Sequence, residues 1–199
     1  MTASKRPTLR KLAVYACTLA LLSLADPRPE SFWVGSVLVA IAWCLRIWAF
    51  GHLEKNLVMV TTGPYAHTRN PAYLGSFIAL FGVALAAGNL ESRQGQVVWG
   101  FSLLLLAGFF IAYLPRKLRR EYPRLQRIFG EQVDLHAANV PDFWPRLSPW
   151  RSGDDRRFSW KLVTSNHEWP WGMVLALALY AVWTSEQWSP LRSFFIELE

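Results

Sequence analysis

The chain has 199 residues, 52% of them hydrophobic and 11 of them Trp, with a formal net charge of +7. This composition is too apolar for a small soluble domain. Its cations lie at the ends of apolar blocks, where acidic lipid head groups attract them, so the charge does not indicate a nucleic-acid-binding protein.

Five apolar blocks follow one another along the chain. A helix needs about 20 mostly apolar residues to cross a hydrocarbon layer about 30 Å thick. Two blocks are plainly long enough, and the first and last reach this length with their flanks. We therefore predict an all-α membrane protein with about five transmembrane helices. The blocks are residues 12–25, 32–50, 72–87, 97–114 and 171–183.

The distribution of cations predicts the orientation. If the blocks are successive spans, only Arg28, Arg93 and Arg192 of the 21 Lys and Arg lie on one side. The basic side faces the cytoplasm, so we expect the N-terminus and two long polar segments there. Buried helices of a soluble protein are the alternative, but they give no reason for this sorting. The expected location is a bacterial inner membrane, with the active site facing the cytoplasm.

The first cytoplasmic segment contains signals for a turn and for a helix start. Gly63-Pro64 favours a turn over a helix. In Asn70-Pro71, Asn is a favoured N-cap and Pro a favoured first residue, so the third span should begin at Pro71.

This helix start, beside Arg69, suits an anion. Free backbone N–H groups and the positive end of the helix dipole would face a carboxylate or phosphate. The alternative is that Asn70-Pro71 only caps the span and that Arg69 only anchors it to lipid.

The second cytoplasmic segment predicts an amphipathic helix over residues 116–129, after Pro115 and capped by Gly130. Glu121 is an acid within its run of cations. Alternatively, Glu121 has no functional role and only forms an ion pair with Lys117 or Arg124, which lie about one helical turn away.

Two stretches follow this helix. Residues 140–145 are too rich in Pro for a helix and too aromatic for a free linker, so we expect them to fold back on the protein. The Asn166-His167-Glu168 group lacks metal-ligand spacing, and we predict no metal site.

Fourteen residues of the two segments and of the start of the third span occur in a characteristic order. They are Gly63, Pro64, Tyr65, Arg69, Asn70, Pro71, Tyr73 and Gly75, then Glu121, Leu125, Phe129, Gly130, Val140 and Pro141. Together they resemble the isoprenylcysteine carboxyl methyltransferase family and the related phospholipid N-methyltransferases. The resemblance covers residues 46–145. We expect the whole chain, 1–199, to form a single membrane domain with four parts. N-terminal spans (1–45) precede this methyltransferase-like core, and a cytoplasmic connector (146–168) and an additional C-terminal span (169–199) follow it.

The resemblance implies a bundle of membrane helices that binds S-adenosylmethionine at its cytoplasmic end, without a Rossmann domain. Glu121 would bind the ammonium or the ribose hydroxyls of the cofactor. The other implied cofactor-binding residues are Gly63, Pro64 and Tyr65 in the wall, Asn70 and Tyr73 at the start of the third span, and Val140, Pro141 and Phe143 over the adenine.

Three parts of the pattern depart from the family. Asn70 stands where the family usually has His, which removes any titrating role of that imidazole. Tyr122 follows Glu121 where the family has a second acid. Val133 and His136 stand where the family usually has tyrosines after Phe-Gly, which changes the expected hydrogen bonds of the site.

The predicted reaction is methyl transfer to a lipophilic acceptor that enters from the bilayer, with membrane lipids as the other partners. In-line displacement at a sulfonium needs neither a metal nor a covalent intermediate, and positioning can supply most of the catalysis. Arg46 and Arg69 are the predicted catalytic residues, with Arg46 as partner of an acceptor carboxylate or, alternatively, a snorkelling anchor. We expect carboxyl O-methylation rather than N-methylation.

Two other functions stay open. Membrane sterol reductases have a similar helical layout and an Arg-x-Pro-x-x-Tyr-x-Gly-like element, but they use NADPH. A membrane interaction protein of the same fold without activity is the second alternative. A prenylated cysteine, a phospholipid amine and a small isoprenoid acid all fit a lipid-facing cleft, and the oligomeric state is left open.

Overall fold

The structure is a computed structural model that describes residues 18–188. These residues form helices and loops, with no strand among them. Residues 18–23 are helical, and the first block's residues 12–17 lie outside the described part. The further helices are α1 (Pro29–His52), α2 (Pro71–Ala87), α3 (Arg93–Gly108), α4 (Leu114–Phe129), α5 (Glu131–Asn139), α6 (Trp160–Ser165), α7 (Trp169–Trp183) and α8 (Ser185–Trp188), with a 3-10 turn at Gly63–Ala66 and a π-helical turn at Phe109–Tyr113.

Two helices are long and apolar enough to cross a membrane. They are α1, with 24 residues, and the continuous helical stretch Arg93–Phe129, with 37 residues, whereas α2 and α7 are shorter apolar helices. Only 17% of the apolar window of Arg93–Phe129 is buried inside the protein. Large side chains such as Leu104 and Ile111 therefore point outwards, as lipid-facing residues do. The all-helical class is confirmed, while five spans and their orientation stay predictions.

The core of the bundle is the antiparallel pair α1 and α2. Small residues line their contact, including Ala42 and Ala86, which have no exposed surface. A Cβ on Gly35 would lie 2.4 Å from the carbonyl oxygen of Gly82, so only glycine permits this approach. Close backbone contact through small residues is how helices associate in lipid. The apolar helix α7 packs against both members of the pair.

The helix start at Pro71 and the C-terminal cap at Gly130 are confirmed, the latter with φ +56°. The helix predicted after Pro115 begins at Leu114, so Pro115 lies inside it. Leu114 N–H bonds the carbonyl of Phe109, five residues back, in a π-helical turn. A π-turn shifts the hydrogen-bond register before the proline, which lacks an N–H, so α3 continues into α4.

The Pro-rich stretch folds back on the first cytoplasmic segment, as expected. The amide of Arg69 donates to the carbonyl of Pro141 at 2.9 Å, and the amide of Arg146 donates to the carbonyl of His67 at 2.9 Å. The buried Thr68 hydroxyl donates to the carbonyl of Phe143 at 3.0 Å. These bonds bring the two predicted functional segments side by side.

Candidate cofactor site

A cavity of about 380 Å³ lies between the loop that follows α1, the start of α2, and helices α4 and α5. Both of the segments that are predicted to be cytoplasmic contribute to its wall. Five of the predicted site residues line it, namely Tyr65, Arg69, Asn70, Tyr73 and Glu121. The convergence that the motif order predicted is therefore present in the fold.

The Glu121 carboxylate interacts with a residue of α2 rather than with its neighbours in α4. The Tyr73 hydroxyl donates a hydrogen bond of 2.7 Å to this carboxylate. Lys117 instead places its ammonium 5.9 Å from the centroid of the Tyr73 ring, and Arg124 donates to Asn56 at 2.6 Å. In the described part of the chain, the alternative ion pair with Lys117 or Arg124 is not formed. The carboxylate stays available on the cavity wall.

Tyr65 forms the buried wall of the cavity, and burial raises the pKa of its phenol, so it stays protonated at neutral pH. Gly63 and Pro64 stand behind this wall and do not line the cavity. Gly63 has φ +57°, and a Cβ there would lie 2.6 Å from Cε1 of His52. The predicted turn at Gly63-Pro64 is confirmed, and in this structure it positions Tyr65.

Arg69 lines the cavity, and its side chain has a buried donor without a partner among the described residues. Its Nη2 lies 2.6 Å from the Asp142 carboxylate, but its Nε is buried without a hydrogen-bond partner in the described part of the chain. Such an unmet donor is unfavourable unless a ligand accepts from it. Arg69 can therefore contribute a donor to a bound anion.

Asn70 occupies the N-cap position of α2, but its side chain does not cap the helix, and this part of the prediction is wrong. Its amide donates to the carbonyl of Asp142 at 2.8 Å instead. The backbone carbonyl of Asn70 already accepts from the amides of Tyr73 and Leu74. The hydrogen bond of the side-chain amide to Asp142 fastens the Pro-rich stretch to the start of α2.

The residues that were predicted to lie over the adenine do not line the cavity. Val140 is buried behind it, and Pro141 is exposed. Phe143 packs instead into an aromatic cluster with Phe77 and Phe110, at ring-centroid distances of 5.9 and 5.4 Å. These three residues point away from the cavity, because the Pro-rich stretch is held by hydrogen bonds from Thr68 and Arg69 to its backbone carbonyls.

Arg46 lies outside the cavity, and its guanidinium forms an ion pair with the Glu168 carboxylate. Its Nε and Nη2 lie 3.1 and 2.9 Å from one carboxylate oxygen, and Nη2 lies 2.9 Å from the other. Its Nη1 donates to the carbonyl of Ala72 at 3.1 Å and to the Ser76 hydroxyl at 2.7 Å. The guanidinium has five donors, and these contacts use them. The predicted role of Arg46 as acceptor partner is therefore replaced by a structural one.

Two residues that the structure brings into prominence had no role in the sequence-based prediction. Glu168 was set aside with its neighbours, although a cation within an apolar span indicates that a counter-charge is close. His136 was noted only as a departure from the family. It lines the cavity, is 1% exposed, and its Nε2 bonds the carbonyl of Tyr65 at 2.8 Å. Burial lowers the pKa of His136, against the effect of that bond, so the ring is neutral at pH 7.

Residues 31–132, about half of the chain, match the family model described as phospholipid methyltransferase. This chain belongs to the phospholipid methyltransferase family. The match runs from α1 into α5 and includes the cavity-lining residues Tyr65, Arg69, Tyr73 and Glu121. Family membership confirms the resemblance that the motifs predicted and supports a membrane methyltransferase.

Three curated proteins are similar to the chain. The nickel-cobalt-cadmium resistance protein NccN of Alcaligenes xylosoxydans xylosoxydans is 31% identical over 121 residues, 60% of this chain and 52% of the relative. The cobalt-zinc-cadmium resistance protein CzcN of Cupriavidus metallidurans is 28% identical over 147 residues, 69% of this chain and 63% of the relative. The protein-S-isoprenylcysteine O-methyltransferase of Schizosaccharomyces pombe is 29% identical over 104 residues, 50% of this chain and 40% of the relative.

The chain thus spans between 40% and 63% of the length of these relatives. No solved structure matches the chain significantly.

Proposed function

We propose that this chain transfers a methyl group from S-adenosylmethionine to a lipophilic acceptor at the membrane surface. The observation that carries the proposal is a single cavity with an anionic wall at Glu121 and a donor-rich wall at Arg69. S-adenosylmethionine supplies an electrophilic methyl carbon on a sulfonium, and its methionine end carries both an ammonium and a carboxylate. The two walls complement these charges.

Glu121 is suited to the ammonium. A carboxylate that accepts from Tyr73 is oriented, and it attracts a cation more strongly in a cavity shielded from water than in bulk solution. The carboxylate of the cofactor suits the part of the wall where Arg69 has a buried donor and α2 begins at Pro71 with the positive end of its dipole. The residues present therefore fit the cofactor.

The acceptor side is aromatic. Tyr73 joins the cavity to a cluster of rings that covers the contact of α2 with the π-helical turn, and its ring lies 6.3 Å from that of Tyr113. The other rings of the cluster are Phe77, Phe109, Phe110, Phe143 and Trp144. An acyl or prenyl chain that enters from the bilayer would pack on this surface, which supports a lipophilic acceptor.

We favour carboxyl O-methylation over N-methylation. With Arg46 paired, Lys117 is the cation that stands beside Tyr73 on the cavity wall, where an acceptor carboxylate could bind. An acceptor carboxylate attacks the methyl carbon while the carbon–sulfur bond breaks, so no proton has to leave. An ammonium acceptor would first have to lose a proton to a base. The inner membrane and a cytoplasmic active site belong to this proposal, supported by the cations of the two segments.

The test is cofactor binding by the purified protein in lipid nanodiscs. We expect S-adenosylmethionine and S-adenosylhomocysteine to bind, and Glu121→Gln to weaken S-adenosylmethionine binding at least tenfold, since hydrogen bonds between charged groups contribute about 1.5–3 kcal/mol. Glu131→Gln, an exposed acid of α5, is the matched control and should bind normally. Binding of NADPH alone would establish the reductase alternative, and binding of neither cofactor would support an interaction protein.

Incubation of membranes with S-adenosylmethionine labelled in the methyl group identifies the product. The proposal predicts label in a lipid-extractable species that base releases, as it does from an ester. Label that resists base would indicate N-methylation instead.

A further inference from the structure

The ring of His136 has one nitrogen that forms no hydrogen bond with residues 18–188. Its Nδ1 is buried and has no partner in the described part of the chain, while its Nε2 is bonded. The ring stacks on Trp150 with centroids 5.6 Å apart and an interplanar angle of 25°, which holds its orientation. His136 lines the cavity, and a buried nitrogen without a partner is unfavourable unless a ligand group bonds to it.

The bond to Tyr65 decides which proton the ring carries. A backbone carbonyl can only accept, so Nε2 must be the protonated nitrogen. In a neutral imidazole the other nitrogen then has a lone pair and no proton. Nδ1 of His136 is therefore a hydrogen-bond acceptor, and it requires an N–H or O–H donor.

The ligand donor should be uncharged. Arg69 lines the same cavity and lowers the pKa of His136 through its positive charge, so a second cation beside this ring is disfavoured. The ammonium of the cofactor has a better position at the carboxylate of Glu121. The neutral donors of S-adenosylmethionine are the 6-amino group of its adenine and the two hydroxyls of its ribose.

We propose that His136 binds the nucleoside of the cofactor, accepting a hydrogen bond at Nδ1 from the adenine amino group or from a ribose hydroxyl. This inference rests on the proposed function, because it assumes that the nucleoside lies in this cavity. It makes His136 a cofactor-binding residue whose position is set by the carbonyl of Tyr65, the turn residue that the family motif supplies.

Two substitutions separate the two ring nitrogens. In His136→Gln the amide nitrogen takes the place of Nε2 and can still donate to Tyr65, but no atom replaces Nδ1. In His136→Asn the amide lies near the position of Nδ1 and offers an oxygen acceptor, but it does not reach the Tyr65 carbonyl. The first should change binding with little effect on folding, and the second should do the reverse.

The experiment is titration of wild type and both variants in nanodiscs with S-adenosylhomocysteine, together with thermal unfolding. We expect His136→Gln to weaken binding roughly three- to tenfold, the effect of one neutral hydrogen bond, and to keep the wild-type melting temperature. His136→Asn should melt earlier and, below its melting temperature, bind within about twofold of wild type. Equal binding by wild type and His136→Gln would overturn the inference.

Analogues of S-adenosylhomocysteine that lack the 6-amino group, the 2′-hydroxyl or the 3′-hydroxyl identify the donor. The analogue without the donor should bind more weakly than S-adenosylhomocysteine to wild type but equally to His136→Gln. If no analogue shows this pattern, the inference is wrong. If wild type binds no S-adenosylhomocysteine at all, the proposed function itself fails, so the two failures are distinguishable.

Discussion

The Arg46 guanidinium and the Glu168 carboxylate form a bidentate ion pair between residues 122 positions apart. Both side chains are less than a tenth exposed. The rings of Phe50 and Trp171 lie 5.3 and 5.0 Å from the guanidinium carbon. This pair ties the start of α7 to α1, so the C-terminal helix supplies the counter-charge that a cation within an apolar helix requires.

Glu168→Ala should destabilise the fold by about 3–5 kcal/mol, because it leaves the buried Arg46 without its counter-charge. Thermal or denaturant unfolding in detergent measures the change. Asp155→Asn, at an exposed acid of the preceding loop, is the control and should have little effect. The double variant Arg46→Met/Glu168→Leu should recover much of the loss, since no unpaired charge remains. A Glu168→Ala variant as stable as wild type would contradict the structural role.

Tyr73→Phe should impair cofactor binding more than folding. It removes the hydrogen bond that orients Glu121 but keeps the ring in its aromatic cluster. We expect a roughly three- to tenfold weaker affinity for S-adenosylmethionine by titration. Tyr180→Phe, at an exposed tyrosine of α7, should leave the affinity unchanged. Equal affinities of the two variants would show that Glu121 does not depend on Tyr73.

Two glycine substitutions should have opposite effects on stability. Gly63→Ala places a Cβ at φ +57° and 2.6 Å from the His52 ring, so it should destabilise by more than the roughly 1 kcal/mol that the backbone alone costs. Gly100→Ala adds a Cβ in open space within α3 and should stabilise by about 0.5–1 kcal/mol. Unfolding midpoints of the two variants test the pair, and a shift of the same sign in both would refute it.

The pH dependence of stability should include a contribution from His136. Its pKa is lowered in the folded state from the ordinary value of 6.5, so below that pH the unfolded chain binds more protons than the folded one. Stability should therefore fall as the pH decreases from about 6.5 towards the lower pKa of the folded state. Arg69, nearby in the same wall, adds to the effect because it repels a charged ring.

Unfolding midpoints between pH 8 and pH 5 measure this contribution, and His136→Gln should flatten the curve. Asp154 contributes to the pH dependence of stability in a different pH range. Burial opposes its ionisation, but hydrogen bonds from Arg156 prevail and hold its pKa below 3.8. Its contribution is therefore lost only at pH values below about 4, outside this measurement. An unchanged slope in His136→Gln would contradict the assignment.

Much of the site could be predicted from the sequence because its motifs act locally. The turn at Gly63 and the helix start at Pro71 follow from the dihedral angles that these residues permit. The resemblance carried by the motifs implied that Tyr65, Arg69, Tyr73 and Glu121 belong to one site, and all four line the same cavity. The absence of a side-chain cap at Asn70 could not be predicted, because the Asp142 carbonyl to which its side-chain amide donates is 72 residues away.

The sequence by itself determined the helical class, the apolar blocks, the family and the local turns and caps, since each depends on composition or on neighbouring residues. The tertiary structure alone decided which groups meet: Arg46 with Glu168, and His136 with Tyr65. A pattern in the sequence shows that a buried charge or imidazole needs a partner, but not which of the possible partners folding brings within 3 Å. That choice makes Arg46 structural and leaves Nδ1 of His136 without a partner among residues 18–188.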